Sequence, residues 1–309
     1  MKLATFIDPA EGMTPRLGIA VEQGLIDVRA AAEALHRAVP ADGLKRAITS
    51  GPQTLAALTS LKEEALRRNL VRRSETLRFL PPIPDAGKFL CVGKNSRQHR
   101  EELIANQMLK EQPQEPTGFI KLIETMVGQD AEVVRPQGIT MLDYEPELVF
   151  VIGMRAHRVA KADAMRHVAG LTLFNDISAR EIQKQEVASG TRFWTAKNMP
   201  GFAPIGPYVA TIDEVEDVDN LWLTCTVNGQ PRLRESTGQY IYKITDVIEH
   251  FSRFMPLEEG DLIAMGAPKG VAMGQPNAAE LYLKPGDRMG ISLEGLMTLR
   301  TTIAAPPAS

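Results

Sequence analysis

Short apolar runs of strand length alternate along this chain with stretches of helical period. Residues 16–21 and 25–28 are β-prone runs joined by Glu22-Gln23-Gly24, which reads as a hairpin turn. Residues 30–37 and 52–68 are rich in Ala, Leu, Glu and Arg and predict helices. Pro81-Pro82-Ile83-Pro84 follows, and so many prolines together cannot continue a helix or a central strand, so a linker is expected. Beyond it, residues 89–93 and 148–152 are unbroken apolar runs, the pattern of strands covered on both faces. Residues 96–110 predict a helix with Ser96 as its N-cap and a thin apolar stripe of Leu103, Ile104 and Met108. Residues 161–169 suit a short helix and 171–174 a strand. Residues 221–227 end in Asn228-Gly229, a strong hairpin signal. Residues 240–254 set Ile241, Ile244, Val247, Ile248 and Phe251 on one helical face, and 262–265 and 288–293 complete the strands. The reading is a β-rich α+β protein with a small N-terminal α+β domain at 1–80 and a second, larger domain at 81–309.

Composition narrows the function classes. The 309 residues are 44% hydrophobic and 24% charged with a formal net charge of −3, ordinary globular values. Lys and Arg are spread along the chain, so no nucleic-acid partner is expected. No apolar run approaches the roughly 18 residues that span a bilayer, so no membrane partner is expected. The apolar stretch at residues 1–7 is too short for a signal-peptide core and meets Asp8 at once, so a cytoplasmic protein is expected. Cys91 and Cys225 sit in apolar runs without metal or redox spacing and read as buried free thiols.

Several clusters could carry chemistry. In Asp143-Tyr144-Glu145-Pro146-Glu147-Leu148, side chains two apart in a strand share a face, which would set Glu145 and Glu147 side by side. Adjacent carboxylates repel, and a hard divalent cation with oxygen ligands relieves that. Two solvated glutamates on an exposed strand would read the same way. Asp176 follows an apolar strand directly and could supply a third carboxylate, or cap a helix. His99 and Glu102 are three apart on the helix at 96–110 and share a face, a usable general base or a surface pair. Lys197 follows Phe193-Trp194 and could be a buried cation facing an oxyanion, or a surface lysine. Gly266-Ala267-Pro268-Lys269-Gly270 is a tight turn that could offer N–H groups to an anionic substrate. No phosphate-binding glycine motif is present.

The order of these clusters resembles the fumarylacetoacetate hydrolase family. The likeness runs through Val92-Gly93-Lys94-Asn95 with His99 and Glu102, then Phe119-Ile120-Lys121, Tyr144-Glu145-Pro146-Glu147-Leu148 and Asn175-Asp176-Ile177-Ser178-Ala179-Arg180 with Gln183. Lys197, Pro204-Ile205-Gly206-Pro207, Val227-Asn228-Gly229 and Gly266-Ala267-Pro268 complete it. The chain departs from the family at Ser96 (often Tyr), Glu124 (often a small residue) and Ala267 (often Thr).

The resemblance implies mixed β-sheets rolled into a barrel-like core, and a homodimer. It implies Mg²⁺ or Mn²⁺, with Ca²⁺ also possible, on Glu145, Glu147 and Asp176. His99 and Glu102 would act on water from a mobile lid, with Lys197 on the developing oxyanion and Gln183, Lys121 and Ala267 on the substrate. The expected partner is a small 2-oxo acid. The expected reaction is hydrolysis of a C–C bond in a 2,4-dioxo acid, an acylpyruvate or a fumarylacetoacetate-like diketone. Decarboxylation of an oxaloacetate-like acid, isomerisation and hydration are alternatives on the same fold, and a non-catalytic metabolite binder is a further one.

Overall fold

The structure, a computed structural model, describes residues 1–105 and 114–307, apart from the side chains of His99, Glu102, Leu103 and Ala105. Two large sheets and a set of N-terminal helices form three layers, with a two-stranded ribbon of Leu142–Asp143 and Ser178–Ala179 beside them. Along its main path, an eleven-stranded sheet begins with Gly24–Asp27, Arg16–Val21, Lys2–Ile7 and Ala203–Thr211. It continues through Val168–Asn175, Pro146–Ile152, Leu262–Ala264 and Phe89–Val92 to Gly118–Ile120. A five-stranded sheet runs Gln230–Ser236, Trp222–Val227, Arg288–Leu293, Met297–Ala304 and Ala131–Val134.

The strand Pro146–Ile152 shows why the layers form. All seven of its residues are buried, as its unbroken apolar run requires. Leu148, Phe150 and Ile152 point into a core shared with Leu223, Val227, Ile291 and Leu299 of the smaller sheet. Val149 and Val151, on the opposite face, join a second core with Leu3, Ile19, Leu58 and Leu61. Leu58 and Leu61 belong to the helix Pro52–Arg67, which carries Pro at its first position, where no N–H is needed.

The residues before the linker are therefore built into the large sheet. Lys2 and Leu3 pair with Ala210 and Val209. Neither sheet closes among the described residues, so the expected barrel-like roll is replaced by open layers. The physical reason is coverage: the smaller sheet screens one face of the large sheet and N-terminal helices screen the other, so nothing is gained by curling.

Most expected elements are present. The hairpins at 16–27 and 222–236 form, and Asn228 and Gly229 take φ of 53° and 75°, the left-handed pair that a two-residue turn needs. The expected helix at 96–110 is seen as Arg97–Ala105, and its continuation lies outside the described residues. The segment at 161–169 is a 3₁₀ helix, Lys161–His167. Both cysteines are buried and free. No helix among the described residues is long and apolar enough to cross a membrane.

Candidate functional site

The site grows out of one antiparallel strand pair. Pro146 opens its strand, where its missing N–H costs no ladder bond, and faces Asn175 across the pair. Beyond the last ladder position the two chains stay locked. The Asp176 N–H donates to Glu145 O at 2.8 Å, and the Glu145 N–H donates to Asn175 Oδ1 at 3.0 Å. Glu145 and Asp176 are thus fixed opposite each other, with Glu147 two residues along. One carboxyl oxygen of each of Glu145, Glu147 and Asp176 lies within 4.8 Å of the other two, and all three residues are buried.

Three cations surround these acids. Lys197 Nζ lies 2.6 Å from Glu145 Oε2 and also pairs with Asp176 Oδ2. Lys121 Nζ lies 2.7 Å from Asp176 Oδ1. Arg180 Nη2 lies 2.6 Å from Glu145 Oε1 and 2.8 Å from Asp143 Oδ2. Burial pulls the Lys197 ammonium down, but Asp176 and Glu145 outweigh it and hold it above the ordinary lysine range. Arg180 behaves alike, with Glu145 and Asp143 overcoming burial. Lys121 is completely buried, and there desolvation wins over Asp176, so its proton is held less tightly than usual.

Glu147 differs. Its carboxylate accepts the Gly266 N–H at 2.8 Å, and no cationic side chain among the described residues forms an ion pair with it. Burial, then Asp176 and Glu145, push its pKa well above the carboxylate range. Four buried carboxyl groups, Asp143, Glu145, Glu147 and Asp176, thus face the three cations Lys121, Arg180 and Lys197. An all-oxygen set that is short of positive charge fits a hard divalent cation, so these residues suit such an ion.

A cavity of about 460 Å³ opens over this cluster. Glu145, Glu147, Lys197, Arg180, Gln183 and Ala267 reach its wall. Gln183 Oε1 accepts from Arg180 Nη1 at 2.8 Å, which leaves the amide NH₂ to donate elsewhere. Phe119 and Phe193 meet edge to face at 5.2 Å, with Lys197 Nζ 5.0 and 5.5 Å from their ring centres. The Lys197 turn is held by Glu186 of the helix Arg180–Ala188, which accepts the Trp194 and Thr195 N–H groups at 3.0 and 2.6 Å. That one helix therefore places Arg180, Gln183 and, through Glu186, Lys197.

Several expectations shift in detail. Lys121, read as a substrate contact, is spent on Asp176. The Gly266–Gly270 turn, read as an anion cradle, gives its Gly266 N–H to Glu147 and its Lys269 N–H to Glu235 instead. Gly266 needs its glycine: φ is 92°, and a Cβ there would sit 2.9 Å from Val92 O. Ser96 does precede the helix, and its hydroxyl donates to the buried Glu235 at 2.8 Å. The side chains of His99 and Glu102 lie outside the described residues. Asp143 and Arg180, not singled out from the sequence, prove central to the charge network. Both lie within the motifs, but only the fold shows that they meet.

The layered fold and the carboxylate cluster define the class of protein. Residues 88–304 match the fumarylacetoacetate (FAA) hydrolase C-terminal family, and the chain belongs to it. A fumarylacetoacetate hydrolase domain-containing protein 2 homolog from Dictyostelium discoideum is 30% identical over 308 residues, spanning 97% of this chain and 96% of that protein. A fumarylacetoacetate hydrolase from psychrophilic Exiguobacterium antarcticum superposes with a TM-score of 0.78 at 29% identity, covering 99% of this chain and 100% of that one. The 5-carboxymethyl-2-hydroxymuconate delta-isomerase of Mycobacterium smegmatis gives 0.72 at 25% identity over the full length of both chains. The family thus includes both hydrolases and isomerases.

Proposed function

We propose that the protein is a divalent-metal-dependent hydrolase that cleaves a C–C bond in a 2,4-dioxo acid, an acylpyruvate or a fumarylacetoacetate-like diketone. Mg²⁺ or Mn²⁺ is the expected ion, with Ca²⁺ as a substitute, and the working form is a cytoplasmic homodimer. The observation that carries this reading is the convergence of Glu145, Glu147 and Asp176 beneath a cavity that also holds Lys197.

When bound, a divalent cation supplies Lewis-acid stabilisation of the negative charge that develops on a 2-oxo group. The protein's own residues do the rest. Lys197, buried beside Glu145 and Asp176, places a positive charge next to the reacting oxygen. Arg180 and the Gly266 N–H hold Glu145 and Glu147 in place. Phe119 and Phe193 give the cavity an apolar wall beside Lys197. His99, oriented by Glu102, takes the proton of the attacking water.

Exhaustive chelation should abolish turnover of acylpyruvates, and Mg²⁺ or Mn²⁺ should restore it. The same ions should raise the melting temperature, because they bind the folded chain alone. Full activity in the chelated protein would remove the metal from the reading. For the base, His99→Ala should lower kcat for hydrolysis by about 10²–10⁴-fold. Oxaloacetate decarboxylation, which needs no attacking water, should survive better. Equal loss of both would assign His99 to a step the two reactions share.

A further inference from the structure

Two lysines from separate parts of the chain grip one carboxylate. Lys121 Nζ lies 2.7 Å from Asp176 Oδ1, and Lys197 Nζ pairs with Asp176 Oδ2. Two ammonium groups brought to one carboxylate repel each other. Each also sits on a flexible four-carbon stem, so neither side chain can set this arrangement alone. The backbones that carry them must be fixed against one another.

Lys121 directly follows Gly118–Ile120, the outermost strand at one end of the large sheet. Its own N–H points inward and donates to Phe89 O at 3.0 Å. The groups on either side of it, the Ile120 C=O and the Leu122 N–H, face the open edge, where an unpaired strand leaves its polar groups without a ladder. Asn198 takes the place of the missing strand. Its Oδ1 accepts the Leu122 N–H at 2.7 Å, and its Nδ2 donates to Ile120 O at 3.3 Å. The same Nδ2 donates to Trp194 O at 3.0 Å, which closes the turn that carries Lys197. An asparagine amide offers one acceptor and two donor hydrogens, so all three bonds can be made together. One side chain thus joins the end of the edge strand to the Lys197 turn, next to the Phe119–Phe193 ring contact. Asn198 is itself half-buried and is not one of the residues that line the cavity, so any effect it has there passes through the lysines.

We infer that Asn198 is a positioning residue: it sets Lys121 and Lys197 on the two oxygens of Asp176, and so fixes where the Lys197 charge stands beside the reacting oxygen. The catalytic half of this inference rests on the hydrolase reading above and deepens it. The structural half concerns the metal-free protein and stands apart from that reading.

Asn198→Leu tests this, since leucine has nearly the size of asparagine and makes none of its hydrogen bonds. In the metal-free protein, NMR should show the Leu122 amide of the variant exchanging about 5- to 10-fold faster than in the wild type, the worth of one hydrogen bond. The Lys121 amide, bonded to Phe89 O, should change little, which separates a local release from a general loss of stability. Asn198→Asp keeps the acceptor oxygen and should keep Leu122 protected. In the manganese-loaded protein, Asn198→Leu should lower kcat on acylpyruvates by about 10- to 100-fold, the scale of a small misplacement beside a reacting group. KM and the calorimetric affinity for Mn²⁺ should move little, because Glu145, Glu147 and Asp176 remain and the Lys197 charge acts on the transition state. A merely structural role would lower the melting temperature, the Mn²⁺ affinity and kcat together, and that pattern would overturn the inference. So would unchanged exchange at Leu122, or wild-type kcat in the Leu variant. If the wild-type protein turns over no acylpyruvate, the hydrolase reading fails, and exchange at Leu122 then decides the structural half by itself.

Discussion

Glu147→Gln should leave the metal-free protein folded and about as stable as before, yet remove its response to metal and nearly all of its turnover. Glutamine keeps an oxygen for the Gly266 N–H, so the 2.8 Å bond that positions the side chain has a replacement. No ion pair is lost, because Glu147 forms none among the described residues. What disappears is one of the three carboxyl groups proposed to hold the ion. The several kcal/mol that a bound cation supplies to a developing charge correspond to about 10³-fold or more in rate. Thermal melts with and without Mn²⁺, run beside an acylpyruvate assay, check both halves. A variant that still gains stability from Mn²⁺ and still turns over would take Glu147 out of the ligand set.

Arg180→Met should act in the opposite way, through stability first. Arg180 is fully buried and joins Asp143 to Glu145. Asp143 also accepts the Ala272 and Met273 N–H groups, both at 2.9 Å, so it cannot swing out to water without breaking the 270s loop. Removing one partner from such a buried network strands the other charges and costs about 3–5 kcal/mol. Urea denaturation should show that loss, and the double variant Arg180→Met with Asp143→Asn should recover part of it. Strict additivity of the two single losses would mean that Arg180 and Asp143 are not energetically coupled.

The contrast between these residues shows what could be read along the chain. Glu-x-Glu at the start of an apolar strand, with Pro146 where a strand tolerates it, can be read from period two and proline chemistry alone. Asp176 is legible as the first acidic residue after such a strand. Asp143 and Arg180 are not legible as a pair, because they stand 37 residues apart and meet only through the fold. Lys121, which the resemblance places on the substrate, pairs with Asp176, and nothing local in the sequence reveals that partner. The strand Ala203–Thr211 was hidden by Pro204 and Pro207, which demote a run that is nonetheless central to the sheet. Helices and hairpins with strong periodicity or an Asn-Gly turn needed no tertiary help. The openness of the sheets follows from how faces are covered, which no local pattern records.

The strand Ala203–Thr211 has a consequence for how the molecule can be divided. It carries Val168–Asn175 on one edge and Lys2–Ile7 on the other, so a fragment cut to residues 88–304 would have a raw strand edge in its middle and Val149 and Val151 bared to water. Such an edge is a template for pairing with another chain. The stretch that carries the family's motifs is therefore not a portable cassette. The whole chain should melt as one cooperative body, with fluorescence and circular dichroism tracing the same transition, and the fragment should partition into aggregates.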